Sequence, residues 1–347
     1  MLSLDIFNDR MFEAVELKEI VSELDPVPTF FGDLGLFVDD PIRTDHVAIV
    51  KDVQNPLVLI PTSERGAPFP QSKRSGRTSQ NFYSKRIGRE DKVKSSELLN
   101  VIGPNFPNDL ALARAAEEVT KRLADIYRHA NLTMEYARLK VATTGVWRDA
   151  DNSAIEDWYA QFGYVAPSAI SLDLTPATNT NLREWIFTNI ALPMQNSLKN
   201  RWVPRRTQIH AVVGDTFWPK LITHPKVERQ YEGWAGATEL GREVAVGGGF
   251  PFGGVVWHHY TGTLDGTTVD IAANAAHFFP VGAEDAFKRY LSPGENFDDL
   301  GELGEEWYPI VQPDPETAKN RFVEISLATY PIFMCLVPNA LLKAVHT

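Results

Sequence analysis

A glycine-rich run is the first candidate for chemistry, because glycine-rich loops can bind phosphate through their backbone N–H groups. The run Gly247–Gly254 contains five glycines. Phosphate-binding loops lead directly into a helix, whereas Val255, Val256 and Trp257 favour a strand after this run. The run therefore predicts the turn of a β-hairpin and not a nucleotide site.

Three histidines and one cysteine are the next candidates, since both residue types bind metals and can act in catalysis. His258 and His259 are neighbours, and on a strand they would point to opposite faces, away from a shared ion. Zinc sites need three or four ligands at characteristic spacings, which His277 and Cys335 do not supply. Cys335 lies in the apolar run 331–338, which is typical of a buried thiol. We expect structural histidines and no metal site.

Other catalytic signatures are weak. Adjacent acids such as Glu117 and Glu118 are typical of a solvated surface, and the Gly-x-Ser-x-Gly nucleophile motif does not occur in the sequence. A single cysteine excludes an intrachain disulfide, which fits a reducing compartment. The sequence contains neither an apolar run of the ~20 residues that span a bilayer nor a signal-peptide pattern. We expect no enzymatic activity, no cofactor and no membrane partner.

Charge gives the strongest signal in the chain. Residues 65–94 carry nine basic side chains against two acidic ones, a net charge of +7 in a protein whose net charge is −11. The segment has few aliphatic side chains and cannot bury enough apolar surface to form a core. β-like runs at 46–50, 57–60 and 81–87 lead into and out of it, and so predict a long basic hairpin.

Three interpretations of this hairpin are open: a solvated loop, a nucleic-acid contact, or an arm that lies over an acidic partner. Hairpins that bind nucleic acid often interleave aromatic side chains for stacking, and these are sparse here. Residues 5–25 carry seven acids and two bases, a net charge of −5, which favours a second copy of the chain as the partner. The residues predicted to contact a neighbouring copy are Arg65, Lys73, Arg74, Arg77, Lys85, Arg86 and Arg89.

The segment before the hairpin reads as an arm. Residues 9–24 predict an amphipathic helix, because apolar residues recur at helical spacing between glutamates. The aromatic residues that follow need a groove, which the chain's own body or a neighbouring copy could supply. The arm residues predicted to lie between subunits are Phe30, Phe31 and Phe37.

A long helix is predicted after the hairpin. Apolar residues at spacings of three and four run from Val119 to Val141, with Asn108 as a plausible N-cap and Gly145 near the expected stop. The predicted helix covers 108–142, would be about 53 Å long at ~1.5 Å per residue and would act as a rigid spine. Further predicted elements are a strand–turn–strand at 146–162, a capping box at Asn181 and Glu184, a helix broken at Pro193, helices at 217–222 and 227–234, and strands at 209–213, 244–246, 255–259 and 322–337.

The order of these elements and several local segments resemble the major capsid protein E family of tailed bacteriophages, to which lambda-type shell proteins belong. The resemblance covers essentially the whole chain and rests on the accumulation of segments. These segments are Asp5-Ile6-Phe7, Gly32–Phe37, Leu57–Pro68, Phe217–Trp234, Gly248–Gly254, Ala276–Gly282 and Glu324–Leu336.

The resemblance implies an α+β fold, the major capsid fold of tailed phages and herpesviruses. Its expected parts are an N-terminal arm at 1–45, an extended loop (the basic β-hairpin) at 46–96, a peripheral domain at 97–206 and 307–347 that contains the spine helix, and an axial domain at 207–306.

The resemblance also implies a function: self-assembly into hexamers and pentamers of an icosahedral head that encloses double-stranded DNA. The expected partners are other copies of the chain, scaffolding, portal and decoration proteins, and packaged DNA through weak non-specific contacts. The expected location is the virion, after assembly in the host cytoplasm. Two alternatives are an encapsulin-type compartment with a protein cargo, and a nucleic-acid-binding protein that uses the basic hairpin directly.

Overall fold

The computed structural model of the chain describes residues 30–52, 77–99, 108–175, 181–232, 249–260, 262–263, 269–314 and 321–346. The predicted helix at 9–24, the predicted strands at 57–60 and 244–246, and the side chains of Arg65, Lys73 and Arg74 lie outside these residues.

The helices of the described residues vary from one turn to about ten. They are α1 Phe30–Asp33, α2 Ser95–Leu99, α3 Asn108–Thr144, α4 Trp158–Phe162, α5 Leu182–Ile186, a π-helical segment Phe187–Ala191, α6 Leu192–Leu198, α7 Phe217–Ile222 and α8 Pro225–Glu232.

The strands are mostly short, with three to eight residues each. They are β1 Val38–Pro41, β2 His46–Asp52, β3 Arg77–Tyr83, β4 Ile87–Lys94, β5 Val146–Arg148, β6 Ala154–Asp157, β7 Ile170–Leu172, β8 Gln208–Val213, β9 Phe250–Phe252, β10 Val255–His259, β11 Ala275–Val281, β12 Phe287–Leu291, β13 Tyr308–Pro313, β14 Phe322–Thr329, β15 Pro331–Cys335 and β16 Leu342–His346.

A six-stranded mixed sheet in the order β7-β16-β11-β8-β10-β9 separates two hydrophobic cores. Successive side chains on a strand point to opposite faces. On β8 and β11, Val212 and Phe279 accordingly contribute to the first core, whereas Val213 and Phe278 contribute to the second. Burial on both faces explains why these strands read as nearly continuous apolar runs in the sequence.

The spine helix α3 connects two regions of the molecule. It has 37 residues, about 55 Å at ~1.5 Å per residue, and Gly145 follows it with a φ of 65°. Its middle part, including Val119 and Leu123, packs on a three-stranded sheet of β13, β14 and β4. Its last turns, including Met134 and Val141, lie in the first core. The prediction of a long helix at 108–142 is confirmed.

The predicted strand–turn–strand at 146–162 is correct only in its first part. β5 and β6 pair as expected, but Trp158–Phe162 forms α4 instead of continuing as a strand. The carboxylate of Asp157 accepts hydrogen bonds from the backbone N–H groups of Tyr159 and Ala160 at 2.9 and 3.4 Å. Gly163 ends the helix with a φ of 69°. These capping contacts outweigh the strand preference of the aromatic residues.

The capping box predicted at Asn181 does not form. The Asn181 side chain accepts no backbone N–H; its Nδ2 instead donates to Oε2 of Glu184 at 3.3 Å. The helix changes to π geometry over 187–191, just before Pro193 in the first turn of α6. Proline cannot donate a backbone hydrogen bond and its ring crowds the carbonyl four residues earlier, so a widened turn relieves both constraints.

Strand pairing crosses two of the boundaries inferred from the resemblance. β16 and β7 were expected in the peripheral domain, but β16 pairs with β11 of the expected axial domain and β7 pairs with β16, so both lie in the six-stranded sheet. β4, expected in the extended loop, pairs along its whole length with β14 of the peripheral segment. Long-range pairing of this kind leaves no local signal in the sequence, and the division of the chain into domains stays a prediction.

Candidate intersubunit surfaces

The extended loop rises from the body as a two-stranded ribbon of β2 and β3, which pair antiparallel from His46 opposite Tyr83 to Asp52 opposite Arg77. One side chain fixes its base: Phe82 is 2% exposed and its ring centroid lies 5.1 Å from that of Trp158. The amide of Gln80 also donates to Oε1 of Gln161 at 2.8 Å. The ribbon is therefore held at its root by α4.

The described cationic residues that were predicted to contact a neighbour occupy different places: the far end of the ribbon, the segment after β3, and β4. Arg77 begins β3, and Arg89 lies on β4 opposite Leu327, with an exposed side chain. Lys85 and Arg86 lie between the two strands and line a cavity of about 450 Å³ with Trp147. Arg86 is also paired within its own chain, because its Nη1 lies 2.9 Å from Oε2 of Glu295.

The end of the arm lies on the subunit's own first core. Phe31 is 1% exposed and packs against Phe279, with ring centroids 5.4 Å apart. Phe37 makes edge contacts with Phe287 and Phe333 at 5.3 and 5.6 Å. The sequence allowed these aromatic residues to pack either on the chain's own body or on a neighbouring copy, and the structure shows them on the chain's own body. A role of Phe30, Phe31 and Phe37 between subunits stays a prediction.

A carboxylate of the spine helix holds the start of α1. Glu135 is 4% exposed, and its oxygens accept the backbone N–H groups of Phe31 and Gly32 at 2.8 and 3.3 Å. Burial raises the pKa of Glu135, although these hydrogen bonds and the charge of Arg138 oppose the increase. The arm is thus tied to the spine by polar as well as apolar contacts.

A buried arginine joins β1 to the segment that follows β12. The side chain of Arg289 is 5% exposed; its Nε lies 2.6 Å from Oδ1 of Asp39, its Nη2 also contacts Asp39, and its Nη1 lies 2.7 Å from Oε1 of Glu306. Burial by itself would lower the pKa of Arg289, but the hydrogen bonds and charges of the two carboxylates raise it. The bidentate pair with Asp39 fixes the register of the arm.

Residues 295–306, here called the acidic loop, contain six acids and no base. The loop has a defined shape: Asn296 and Asp299 form a reciprocal capping box, and Gly301 has a φ of 83°. It also presents three exposed apolar side chains, which the sequence analysis did not single out. These are Phe297, Leu300 and Leu303, at 92%, 70% and 47% exposure.

Another feature was missed because its parts are far apart in the sequence. A groove of about 900 Å³, here called the basic groove, lies between α5, the π-helical segment, α8 and the β9–β10 turn. Its lining residues include Arg183, Lys226, Arg229, Phe187 and Phe252. Among the described residues that line it, three are basic and only Glu184 is acidic, which gives this part of the groove a net positive charge.

The glycine-rich run forms a turn, as predicted, and His258 packs inside the fold. β9 and β10 pair antiparallel around Gly253 and Gly254, which confirms the hairpin turn. His258 is buried, and its Nε2 lies 2.9 Å from Nδ1 of His210. Burial lowers the pKa of both rings to about 4. Over the described part of the chain, no three His, Cys, Asp or Glu side chains are grouped so that they could hold a metal ion.

Two further observations concern the cysteine and the helices. Cys335 is buried, and burial raises the pKa of its thiol to about 12, so the thiol stays protonated at neutral pH. Within the residues described, every helix is too short or too polar to cross a bilayer.

Known proteins resemble this chain both in sequence and in fold. The major capsid protein of Pseudomonas phage KPP10 is 25% identical over 351 residues, which cover 96% of each chain. The capsid protein of Myoviridae phage XM1 superposes with a TM-score of 0.52 at 10% identity, over 94% of this chain and 95% of that one. The mature capsid of bacteriophage PhiM1 gives 0.51 at 10% identity, over 93% and 88%.

These two structural likenesses show the fold of phage capsid proteins, in which helices and sheets are mixed. The family description that matches the sequence is "Phage major capsid protein E", over residues 13–346. This chain therefore belongs to the phage major capsid protein E family and is a structural protein of the virion shell.

Proposed function

We propose that copies of this chain assemble as hexamers and pentamers into an icosahedral head around double-stranded DNA, and that the extended loop makes a principal contact between copies. The observation that carries this proposal is the ribbon of β2 and β3. It is fixed to the body at Phe82, and its second strand belongs to the segment 65–94, which has a net charge of +7 in a protein of net charge −11.

Charge complementarity supports a neighbouring copy as the partner of the loop. The rest of the chain carries the compensating negative charge, with a net charge of −5 in residues 5–25 alone. Complementary potentials guide association and fix register, and their effect weakens as salt screens the charges. The arm residues Phe30, Phe31 and Phe37 lie on their own subunit's first core, and they would also contribute to the contact with a neighbouring copy.

The division into arm, extended loop, peripheral domain and axial domain is part of the proposal. Scaffolding, portal and decoration proteins would be further partners, and assembly would take place in the host cytoplasm. Packaged DNA would make weak, non-specific contacts, because the net charge of −11 opposes tight binding of a polyanion. Nothing in this function requires a catalytic group or a cofactor.

The experiment replaces residues 65–74 with a Gly-Ser linker of equal length, which removes three basic residues and leaves Phe82 and the ribbon intact. The purified wild type and variant are compared by electron microscopy and light scattering. We expect closed shells from the wild type, and soluble subunits or capsomers from the variant. The control variant Lys121→Gln neutralises an exposed charge on the spine helix and should assemble normally.

Two outcomes would contradict the proposal. Normal shells from the linker variant would show that the extended loop is not needed for assembly. A wild type that stays monomeric at all salt and protein concentrations, and binds DNA in a salt-sensitive manner, would favour the nucleic-acid-binding alternative. The nucleic acid and protein content of purified particles distinguishes a phage head from a compartment with a protein cargo.

A further inference from the structure

The acidic loop is held in shape by the body of its own subunit. Arg43 donates to the carbonyl of Gly301, and the backbone N–H of Gly304 donates to the carbonyl of Ile42 at 2.9 Å. The hydroxyl of Tyr308 accepts the N–H of Glu305 at 2.7 Å. A loop with this many fixed points loses little conformational freedom on binding, so it can present side chains to a partner at low entropic cost.

What this loop presents is apolar as well as acidic. Phe297 is 92% exposed and Leu300 70%, although most of the large apolar side chains described are buried. Single exposed apolar residues are ordinary, but three within seven residues on a shaped loop indicate a contact surface. Asp298 and Glu302 are exposed beside them and give the surface its charge.

The basic groove has the complementary character. Lys226 and Arg229 lie one turn apart on α8, with both side chains exposed, and Arg183 lies across the groove on α5. Between the charges the groove offers apolar surface, because Phe187 is 53% exposed and Phe252 lines the wall. Its volume of about 900 Å³ is large enough for a phenylalanine ring with its neighbouring side chains.

We propose that the acidic loop of one copy docks into the basic groove of a neighbouring copy. Phe297 and Leu300 would pack against Phe187 and Phe252, while Asp298 and Glu302 face the cations of α8 and α5. This inference rests on the proposed function, because it names a second contact of the same assembly. It is a head-to-tail contact, since loop and groove are different surfaces, and such contacts close rings when the rotation permits.

The other anionic and cationic groups of this system are poorer partners. The basic segment 65–94 could meet the acids of the loop, but it has few aliphatic side chains to cover Phe297 and Leu300. DNA could meet Lys226 and Arg229, but its phosphates would leave the apolar surface of Phe187 and Phe252 uncovered. The acidic loop matches both the charge and the apolar surface of the groove.

Cross-linking tests the contact directly. The double variant Phe297→Cys, Phe187→Cys places one thiol on the loop and one in the groove, while the natural Cys335 stays buried and protonated. After assembly and mild oxidation, a denaturing gel run without reductant should show a ladder of multimers that reductant removes. The matched control is Phe297→Cys with Lys121→Cys, which should stay at the monomer position.

The results separate this inference from the proposed function. Normal shells without a ladder would overturn the docking and leave the capsid function intact. Failure of the wild type to assemble would contradict the proposed function and this inference with it. A ladder from the Lys121→Cys control as well would mean random collision and would also overturn the docking.

Charge reversal provides a second measurement. We expect Lys226→Glu with Arg229→Glu, and separately Asp298→Lys with Glu302→Lys, to lower shell yield by at least about tenfold, because like charges then face each other. Combining all four substitutions should restore most of the yield. Thermal unfolding of each subunit checks that these exposed substitutions leave the fold intact. Lost yield without rescue, together with an altered DNA content, would assign the groove to DNA and overturn the proposal.

Discussion

The end of the arm and the extended loop are neighbours in the sequence, yet they differ in how they contact the body of the subunit. At the end of the arm, Phe31 and Leu36 are buried in the chain's own first core, and Glu135 ties the segment to the spine helix. The ribbon of β2 and β3 pairs only with itself in the described part of the chain, and Phe82 is its deeply buried aromatic contact with the body.

Composition explains this difference. The arm's end supplies Phe31 and Phe37, whose burial repays the ordering of the backbone around them. The extended loop supplies mainly charged side chains, which favour contact with a charged partner over burial in a core. The end of the arm buries its apolar side chains within its own subunit and therefore stabilises the fold. The extended loop does not, and its charged side chains remain available to contact another subunit.

Removing the arm's buried ring should produce the largest effect on stability. Phe31→Ala should lower the free energy of unfolding by about 3–5 kcal/mol, because it removes a fully buried ring and leaves a cavity beside Phe279. Phe30→Ala is the matched control and should cost less, since Phe30 is only partly buried. Urea unfolding of the isolated subunit measures both. If the two variants lowered the free energy of unfolding equally, the ring of Phe31 would not be buried more deeply than that of Phe30, against the structure.

Acid should weaken the region beneath the arm. The ring of His258 lies 5.1 Å from Phe30 and stacks on His210, and burial lowers the pKa of both imidazoles from 6.5 to about 4. An unfolded histidine takes up its proton near pH 6.5, so the stabilising preference for neutral rings is fully present above that pH. It is lost as the pH falls toward 4, by up to about 3 kcal/mol for each ring.

Urea midpoints between pH 7.5 and 4.5 measure this effect. The variant His258→Gln keeps a polar group opposite His210 but cannot titrate, so its stability should depend less steeply on pH. Glu135 acts in the opposite sense, because burial raises its pKa and protonation then favours the folded state. An unchanged midpoint across this range would refute the burial of neutral imidazoles under the arm.

Local patterns predicted the elements whose causes are local. The apolar stripe from Val119 to Val141 gave the spine helix to within two residues at its end, and Gly145 marked its stop. The five glycines of 247–254, followed by β-branched residues, gave the hairpin of β9 and β10. At α4 the local signal existed and was overlooked, since Asp157 and Gly163 bracket the helix as caps.

The surfaces could not be predicted in the same way, because they depend on distant segments. The basic groove combines residues near 183, 226 and 252, and only the folded sheet brings them together. The pairing of β7 with β16 likewise joins strands separated by more than 100 residues. The acids of the acidic loop were visible in the sequence, but not the capping box and turns that hold Phe297 outward.

The smallest expected effect compares two arginines, one for each region. Arg289 holds the arm through Asp39 with a side chain that is 5% exposed, whereas Arg86 holds the loop's root through Glu295 with both side chains at 60% or more. Arg289→Gln should cost about 2–3 kcal/mol, because it leaves Asp39 and Glu306 without their cation. Arg86→Gln should cost about 0–1 kcal/mol, because water already solvates both partners.

Unfolding of both variants at low and high salt completes the comparison. The effect of Arg289→Gln should persist in high salt, since buried pairs are screened little, and any effect of Arg86→Gln should disappear. The effect on assembly should differ from the effect on stability. Arg86 lies among the basic residues of the extended loop, so Arg86→Gln should impair shell closure more than it lowers the free energy of unfolding. If Arg289→Gln and Arg86→Gln lowered the free energy of unfolding of the isolated subunit equally, the loop's root would be bound to the body as firmly as the arm's end. That result would contradict the distinction between a segment that stabilises the fold and a segment that serves assembly.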